Sequence, residues 1–168
     1  MIKFGSQPYK RELFMHTTNR RFTILSSDYA VGPEASPMTL RMIKMLGYAS
    51  VVNICDQDRE RSTREVTASN VHEDTTYRQF SVDSIDNIDD TQIQHFSEIL
   101  NDIPKPVFVF SENGLRATAM WAASMMGTED WQDIKTAASR AGHDVSFLQA
   151  GKPKSAKSSS GKAAIATA

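Results

Sequence analysis

The chain is 168 residues long, 40% hydrophobic and 23% charged, with a formal net charge of −1. That length supports one domain with a real core, in the composition range of globular proteins. No apolar stretch approaches the roughly 20 residues that span a bilayer, so membrane insertion is not expected, and the charge balance gives no overall attraction to nucleic acid.

The charge is unevenly placed. Lys3, Lys10, Arg11, Arg20 and Arg21 face only Glu12 in the first 21 residues, and Lys152, Lys154, Lys157 and Lys162 stand without acids near the end. The start lacks the long apolar core of a secretory signal. It reads as a basic arm over residues 1–20, with a cytoplasmic location expected and organellar import left open. Residues 151–168 are rich in Lys, Ser and Ala without periodicity and read as a disordered tail. The domain is expected over 21–150. A single cysteine, Cys55, excludes an internal disulfide framework and a Cys-rich zinc site. His16, His72, His95 and His143 show no metal-ligand spacing, and neither a metal nor another cofactor is expected.

In chain order, Arg21 to Leu25 and Tyr29 to Val31 are short strand candidates. Ser36 before Pro37 is a helix start, Met38, Leu40, Met42, Ile43 and Leu46 supply its apolar face, and Gly47 supplies the stop. Tyr48 to Cys55 reads as a buried strand, followed by a charged loop from Asp56 to Arg61. A short helix is expected from Ser62 to Val71, because Glu65 stands at capping-box spacing from Ser62. Thr76 to Val82 reads as a further strand and Asp83 to Asp89 as an acidic loop. Asp89, Asp90 or Thr91 then caps a helix carrying Ile93, Phe96, Ile99 and Leu100.

The most informative stretch is Pro106 to Met126. Val107 to Phe110 is an unbroken apolar run, which reads as a buried strand. Ser111 to Arg116 follows as a six-residue loop with Gly114 inside it, and an apolar helix pattern starts after it. Strand, tight loop and helix N-terminus in succession form an anion cradle, since loop amides and the first N–H groups of a helix converge there with the positive end of its dipole. Arg116 adds a bidentate fork suited to phosphate or sulfate. A last helix is expected over about Glu129 to Ala141. Strand and helix alternate along the chain. The expected fold is therefore α/β, a single domain with a mostly parallel sheet of four or five strands and helices on both faces. In such sheets ligands bind beyond the carboxyl ends of the strands, where Ser111, the 56–61 loop and the 83–90 loop all lie.

Three blocks carry a resemblance to a known family. They are Asp28-Tyr29-Ala30-Val31-Gly32-Pro33-Glu34, Leu46-Gly47-Tyr48-Ala49-Ser50-Val51-Val52-Asn53-Ile54, and Pro106 through Ala122. Over residues 21–148 the chain resembles the beta-lactamase-hydrolase-like, phosphatase-like domain, a relative of the dual-specificity and tyrosine phosphatases. In that family the third block reads as an apolar strand, His or Tyr, Cys, two residues, Gly, one residue, Arg and Ser, ahead of a helix. The resemblance implies a tyrosine-phosphatase-like fold. It also implies an anion-binding loop of Ser111, Glu112, Asn113, Gly114, Leu115 and Arg116, with Arg116 as phosphate clamp and Asp83 or Asp86 in the general-acid loop.

The departures fall where the chemistry would occur. Ser111 stands where the family has its nucleophilic cysteine. A thiol is brought to thiolate by a helix N-terminus and an arginine, whereas a hydroxyl lies several pKa units further away and needs an adjacent base. Phe110 can donate nothing, Glu112 brings a carboxylate to the rim, and Cys55-Asp56 replaces the family's Arg-Pro. Ser111 is either natural, in a pseudoenzyme, or an engineered Cys-to-Ser change, and the coordinated changes around it favour the first. Two function classes follow. One is a catalytically silent module that binds a phosphate-like anion, a phosphorylated ligand or a protein partner. The other is an active phosphatase on phosphoprotein or a small phosphoester, with Ser111, Arg116 and Asp83 as its residues. Each candidate also has a plain structural reading: Arg116 paired with Glu34 or Glu60, Asp83 in a solvated loop, and Cys55 as a small buried hydrophobe.

Overall fold

The computed structural model describes residues 22–59 and 67–150. The basic arm, the tail, and the start of the helix expected from Ser62 lie outside the described residues; within them, 67–70 are helical.

Among the described residues five strands form one sheet: β1 (Thr23–Ile24), β2 (Tyr29–Gly32), β3 (Ser50–Cys55), β4 (Thr76–Ser81) and β5 (Val107–Phe110). Their order is β1-β2-β5-β3-β4. Only the β1–β2 pair is antiparallel, and β2, β5, β3 and β4 run parallel. β5 is central and buried along its whole length, with Val107 opposite both Tyr29 and Ser50. This is the environment that an unbroken Val/Phe run demands, because both faces of a central parallel strand are covered.

The helices are α1 (Pro37–Met45), α2 (Asp90–Asp102), α3 (Leu115–Met125), α4 (Trp131–Arg140) and the single turn α5 (Phe147–Ala150). Ser36 caps α1 by accepting the Thr39 N–H at 3.2 Å, with Pro37 opening the first turn. Past the end of α1, Gly47 takes φ +85°, the left-handed conformation that closes a helix and suits only glycine without cost. Of the cap candidates that the sequence offers for α2, Asp89 is the one used. Asp89 accepts the Gln92 N–H at 2.8 Å and the Gln92 side-chain oxygen accepts the Asp89 N–H at 3.1 Å, a reciprocal capping box. α4 starts at Trp131 rather than Glu129, because Asp130 accepts the Gln132 N–H at 2.8 Å.

The alternation of side chains along the strands separates two cores. On one face Ala30, Val51, Phe108 and Phe110 meet Leu40 and Ile43 of α1. On the other, Val31, Val52, Ile54, Val107 and Val109 meet Phe96 and Leu100 of α2, Met120 and Trp121 of α3, and Ile134 of α4. Each of the large side chains is worth about 1.5–3 kcal/mol of burial. Ala117, Ala119, Ala122 and Ala123 are all buried in α3, and their small size lets that helix lie close against the sheet. The parallel arrangement brings the carboxyl ends of β2, β5, β3 and β4 to one edge of the sheet.

Candidate functional site

The loop after β5 is built by its own hydrogen bonds. The Ser111 N–H donates to the Gly32 carbonyl at 3.2 Å, and the Gly114 N–H closes a turn on the Ser111 carbonyl at 3.3 Å. Gly114 has φ +83°, and a β-carbon there would stand 3.1 Å from His143 Nε2 and 3.3 Å from the Gly32 carbonyl carbon. The backbone conformation therefore favours glycine, and the tight packing adds to that preference. Helix α3 begins at Leu115, inside the stretch that the sequence suggests is loop, because Gly114 already serves as its N-cap residue. Arg116 is thus a first-turn helix residue.

Gly114 has no side chain to cap with, and the loop supplies two substitutes. Asn113 Oδ1 accepts the Leu115 N–H at 3.0 Å, and Ser111 Oγ accepts the Ala117 N–H at 3.2 Å. Two of the first free helix donors, which the sequence offers to an anion, are therefore taken internally. Ser111 is 1% exposed, and the bond from Ala117 is the one hydrogen bond of its hydroxyl among the described residues.

The three polar loops expected at this edge do meet. Arg116 Nη2 donates to the Asp83 carbonyl oxygen at 3.1 Å and lies 3.7 Å from Asp56 Oδ2. Asp83 Oδ1 accepts the Gln57 N–H at 3.1 Å, and Asp56 Oδ1 accepts the Arg59 N–H at 2.9 Å. Arg59 Nη1 pairs with Glu112 Oε1 at 2.9 Å. Asp56 is the described carboxylate partner of Arg116; of the two suggested, Glu34 makes no described ion pair with it, and Glu60 lies outside the described residues. A fourth loop, from β2, joins the group when the Glu34 N–H donates to the Glu112 carbonyl at 3.2 Å.

Asp83 is exposed, and its carboxylate ties its own loop to the 56–59 loop. Asp86 is also exposed, on a 3-10 turn (Ile85–Asn87), with its N–H held by Ser84 Oγ at 3.2 Å. No described contact brings Asp86 to Arg116. Cys55 is buried and accepts from Gln79 Nε2 at 3.3 Å. His72 pairs with Asp74, and the exposed His95 lies edge-on to Phe80. Burial holds His143, on the far side of Gly114, below the ordinary histidine pKa. Among the described residues no group of three or more His, Cys, Asp and Glu is placed to hold a metal ion.

Between the loops from β2, β3 and β5 lies a cavity of about 20 Å³, lined by Glu34, Asn53, Cys55, Asp56, Phe110 and Arg116 among others. Asn53 is a residue that the sequence reading passed over. It sits in the middle of β3, is 3% exposed, and its Nδ2 has no hydrogen-bond partner among the described residues. A polar residue inside an apolar strand was the signal that could have found it.

No family model matches the chain, and no curated relative matches it. Solved structures do. A candidate phosphatase from Neisseria meningitidis matches with a TM-score of 0.59 at 18% identity, over 76% of this chain and 93% of that one. A cysteine-to-serine form of TpbA from P. aeruginosa, in complex with phosphotyrosine, matches with a TM-score of 0.56 at 17% identity, over 80% and 83%. The human tyrosine phosphatase-like serine/threonine/tyrosine-interacting protein matches with a TM-score of 0.51 at 15% identity, over 79% and 95%. The likeness is one of fold: this chain is a single α/β domain of the tyrosine-phosphatase-like kind.

Proposed function

We propose that this chain is a phosphatase-like domain with a degenerate signature loop, a pseudophosphatase that binds an oxyanion, on a phosphorylated ligand or a protein partner, without turning it over. One observation carries the reading. Ser111, in the slot where the resembling beta-lactamase-hydrolase-like family has its cysteine, is buried and accepts the Ala117 N–H of the helix. No basic side chain among the described residues hydrogen-bonds its hydroxyl. A hydroxyl without an adjacent base stays protonated near neutral pH and is a weak nucleophile. Ser111 fits a natural helix-capping residue in this place. Anion binding is supported by Arg116 at the first turn of α3 and by the serine-bearing form of TpbA that holds phosphotyrosine.

A second reading has one observation in its favour. Arg116 touches the backbone of Asp83, so the clamp and the candidate general acid share one edge with Ser111. An active phosphatase would use them as clamp, acid and nucleophile. Turnover of p-nitrophenyl phosphate by the chain and by Ser111→Cys separates the readings. Background rates for the unmodified chain agree with the silent module. Turnover well above background that disappears in Arg116→Ala overturns it. Activity restored by Ser111→Cys alone would favour an engineered cysteine replacement. For binding, millimolar phosphate should raise the melting temperature, and Arg116→Ala should remove the rise.

A further inference from the structure

We propose that Asn53 is an oxyanion contact of this site, donating from Nδ2 to one oxygen of the ligand. The inference rests on the anion-binding reading above. Asn53 lies on β3, is 3% exposed, and among the described residues its Nδ2 has no partner. A buried N–H left unpaired costs stability, so its presence calls for an acceptor that arrives from elsewhere. The carboxylates beside it are directed elsewhere. Glu34, Asp56 and Glu112 line the same cavity, and none of them bonds Nδ2. Asp56 is engaged with the Arg59 N–H and with Arg116, and Glu112 with Arg59.

Arg116 lines that cavity too, so a ligand oxygen entering it meets the guanidinium and the unpaired amide together. The cavity, about 20 Å³, admits one water-sized group and not a whole phosphate. The ligand class is therefore a tetrahedral oxyanion that inserts a single oxygen and keeps its other oxygens and its ester substituent outside. Asn53 differs in kind from the loop residues: it comes from the strand beside β5, and its donor is fixed by burial rather than by the loop's conformation.

The test uses the full chain with inorganic phosphate as probe, comparing wild type, Asn53→Leu, Asn53→Asp and Arg116→Ala. Folding is checked by circular dichroism. Asn53→Leu removes the unmet donor at similar volume, so its melting temperature without phosphate should equal or exceed that of wild type. Both Asn53 variants should bind phosphate about ten- to a hundred-fold more weakly, the loss expected for a hydrogen bond to a charged group. In the wild type, the Asn53 side-chain amide signals, identified by their loss in Asn53→Asp, should move on phosphate addition. That readout needs no folded Leu variant. A folded Asn53 variant with the wild-type phosphate response overturns the proposal, and so do amide signals that stay still, as they would if an ordered water were the acceptor. A large fall in the melting temperature of phosphate-free Asn53→Leu also overturns it, since the amide would then have a structural partner. A wild type with no phosphate response defeats the anion-binding reading itself. A response lost in Arg116→Ala but kept in both Asn53 variants defeats only this inference.

Discussion

Arg116 Nη2 stands 3.7 Å from Asp56 Oδ2, so the cation best placed to grip an anion already has a carboxylate beside it. Both side chains are partly exposed, at 23% and 27%, which keeps the pair in water's reach and its strength modest. The site holds a weak built-in competitor for any anion. Asp56→Asn should therefore tighten phosphate binding, by roughly two- to five-fold, which corresponds to about 0.5–1 kcal/mol for such a pair. Isothermal titration with phosphate measures this. Unchanged or weaker binding would mean that Arg116 does not contact the anion.

The Ser111 hydroxyl is assigned a structural task. Ser111→Ala leaves the buried Ala117 N–H without its acceptor and should lower unfolding free energy by about 1–2 kcal/mol. Ser111→Cys keeps a weak acceptor of similar shape and should lose less. Urea unfolding of the two variants gives the ordering, and an alanine variant as stable as the original would remove the capping role.

Gly114 is constrained twice, by φ +83° and by the neighbours a β-carbon would meet. Gly114→Ala should cost about 2 kcal/mol or more, combining left-handed strain with tight contacts to His143 and the Gly32 backbone that must shift by a few tenths of an ångström. It should also weaken phosphate binding, because Gly114 sets where α3 and Arg116 begin. Gly47→Ala has open space around its β-carbon and serves as the control for φ alone. Equal losses of stability in the two variants would show that packing against His143 and Gly32 adds nothing.

Burial lowers the pKa of His143, so the folded state takes up its proton less readily than the unfolded chain, whose histidines titrate near 6.5. The unfolded state then binds more protons as pH falls, and stability that is complete above about pH 6.5 is lost as pH drops through the folded pKa. Arg140 and His143 line one groove beside Gly114, and Arg140 adds no anion to offset the charge. Denaturant unfolding at pH 7.5 and 5.5 should show this loss, and His143→Gln should reduce it. An identical pH dependence in the variant would assign the effect to other groups.

The sequence by itself determined the layered fold and the position of the site. The Val107–Phe110 run could only be a strand covered on both faces, Ser36-Pro37 and Gly47 bounded α1, and alternation of elements required a parallel sheet with its loops at one edge. These features were legible because they are local: propensity, capping and hydrophobic period act over a few residues. Reading Ser111 to Arg116 as loop went too far by two residues, since a glycine at an N-cap gives no side-chain signal for where the helix starts.

Tertiary structure decided which charges meet. Arg116 found Asp56 and the Asp83 carbonyl instead of Glu34, and Arg59 found Glu112, because strand order sets β3 between β5 and β4 and so places the 56–59 loop beside both of their loops. That the Asn53 amide finds no partner among the described residues was equally hidden, since whether a polar side chain in a strand is paired depends on what the neighbouring strands present to it.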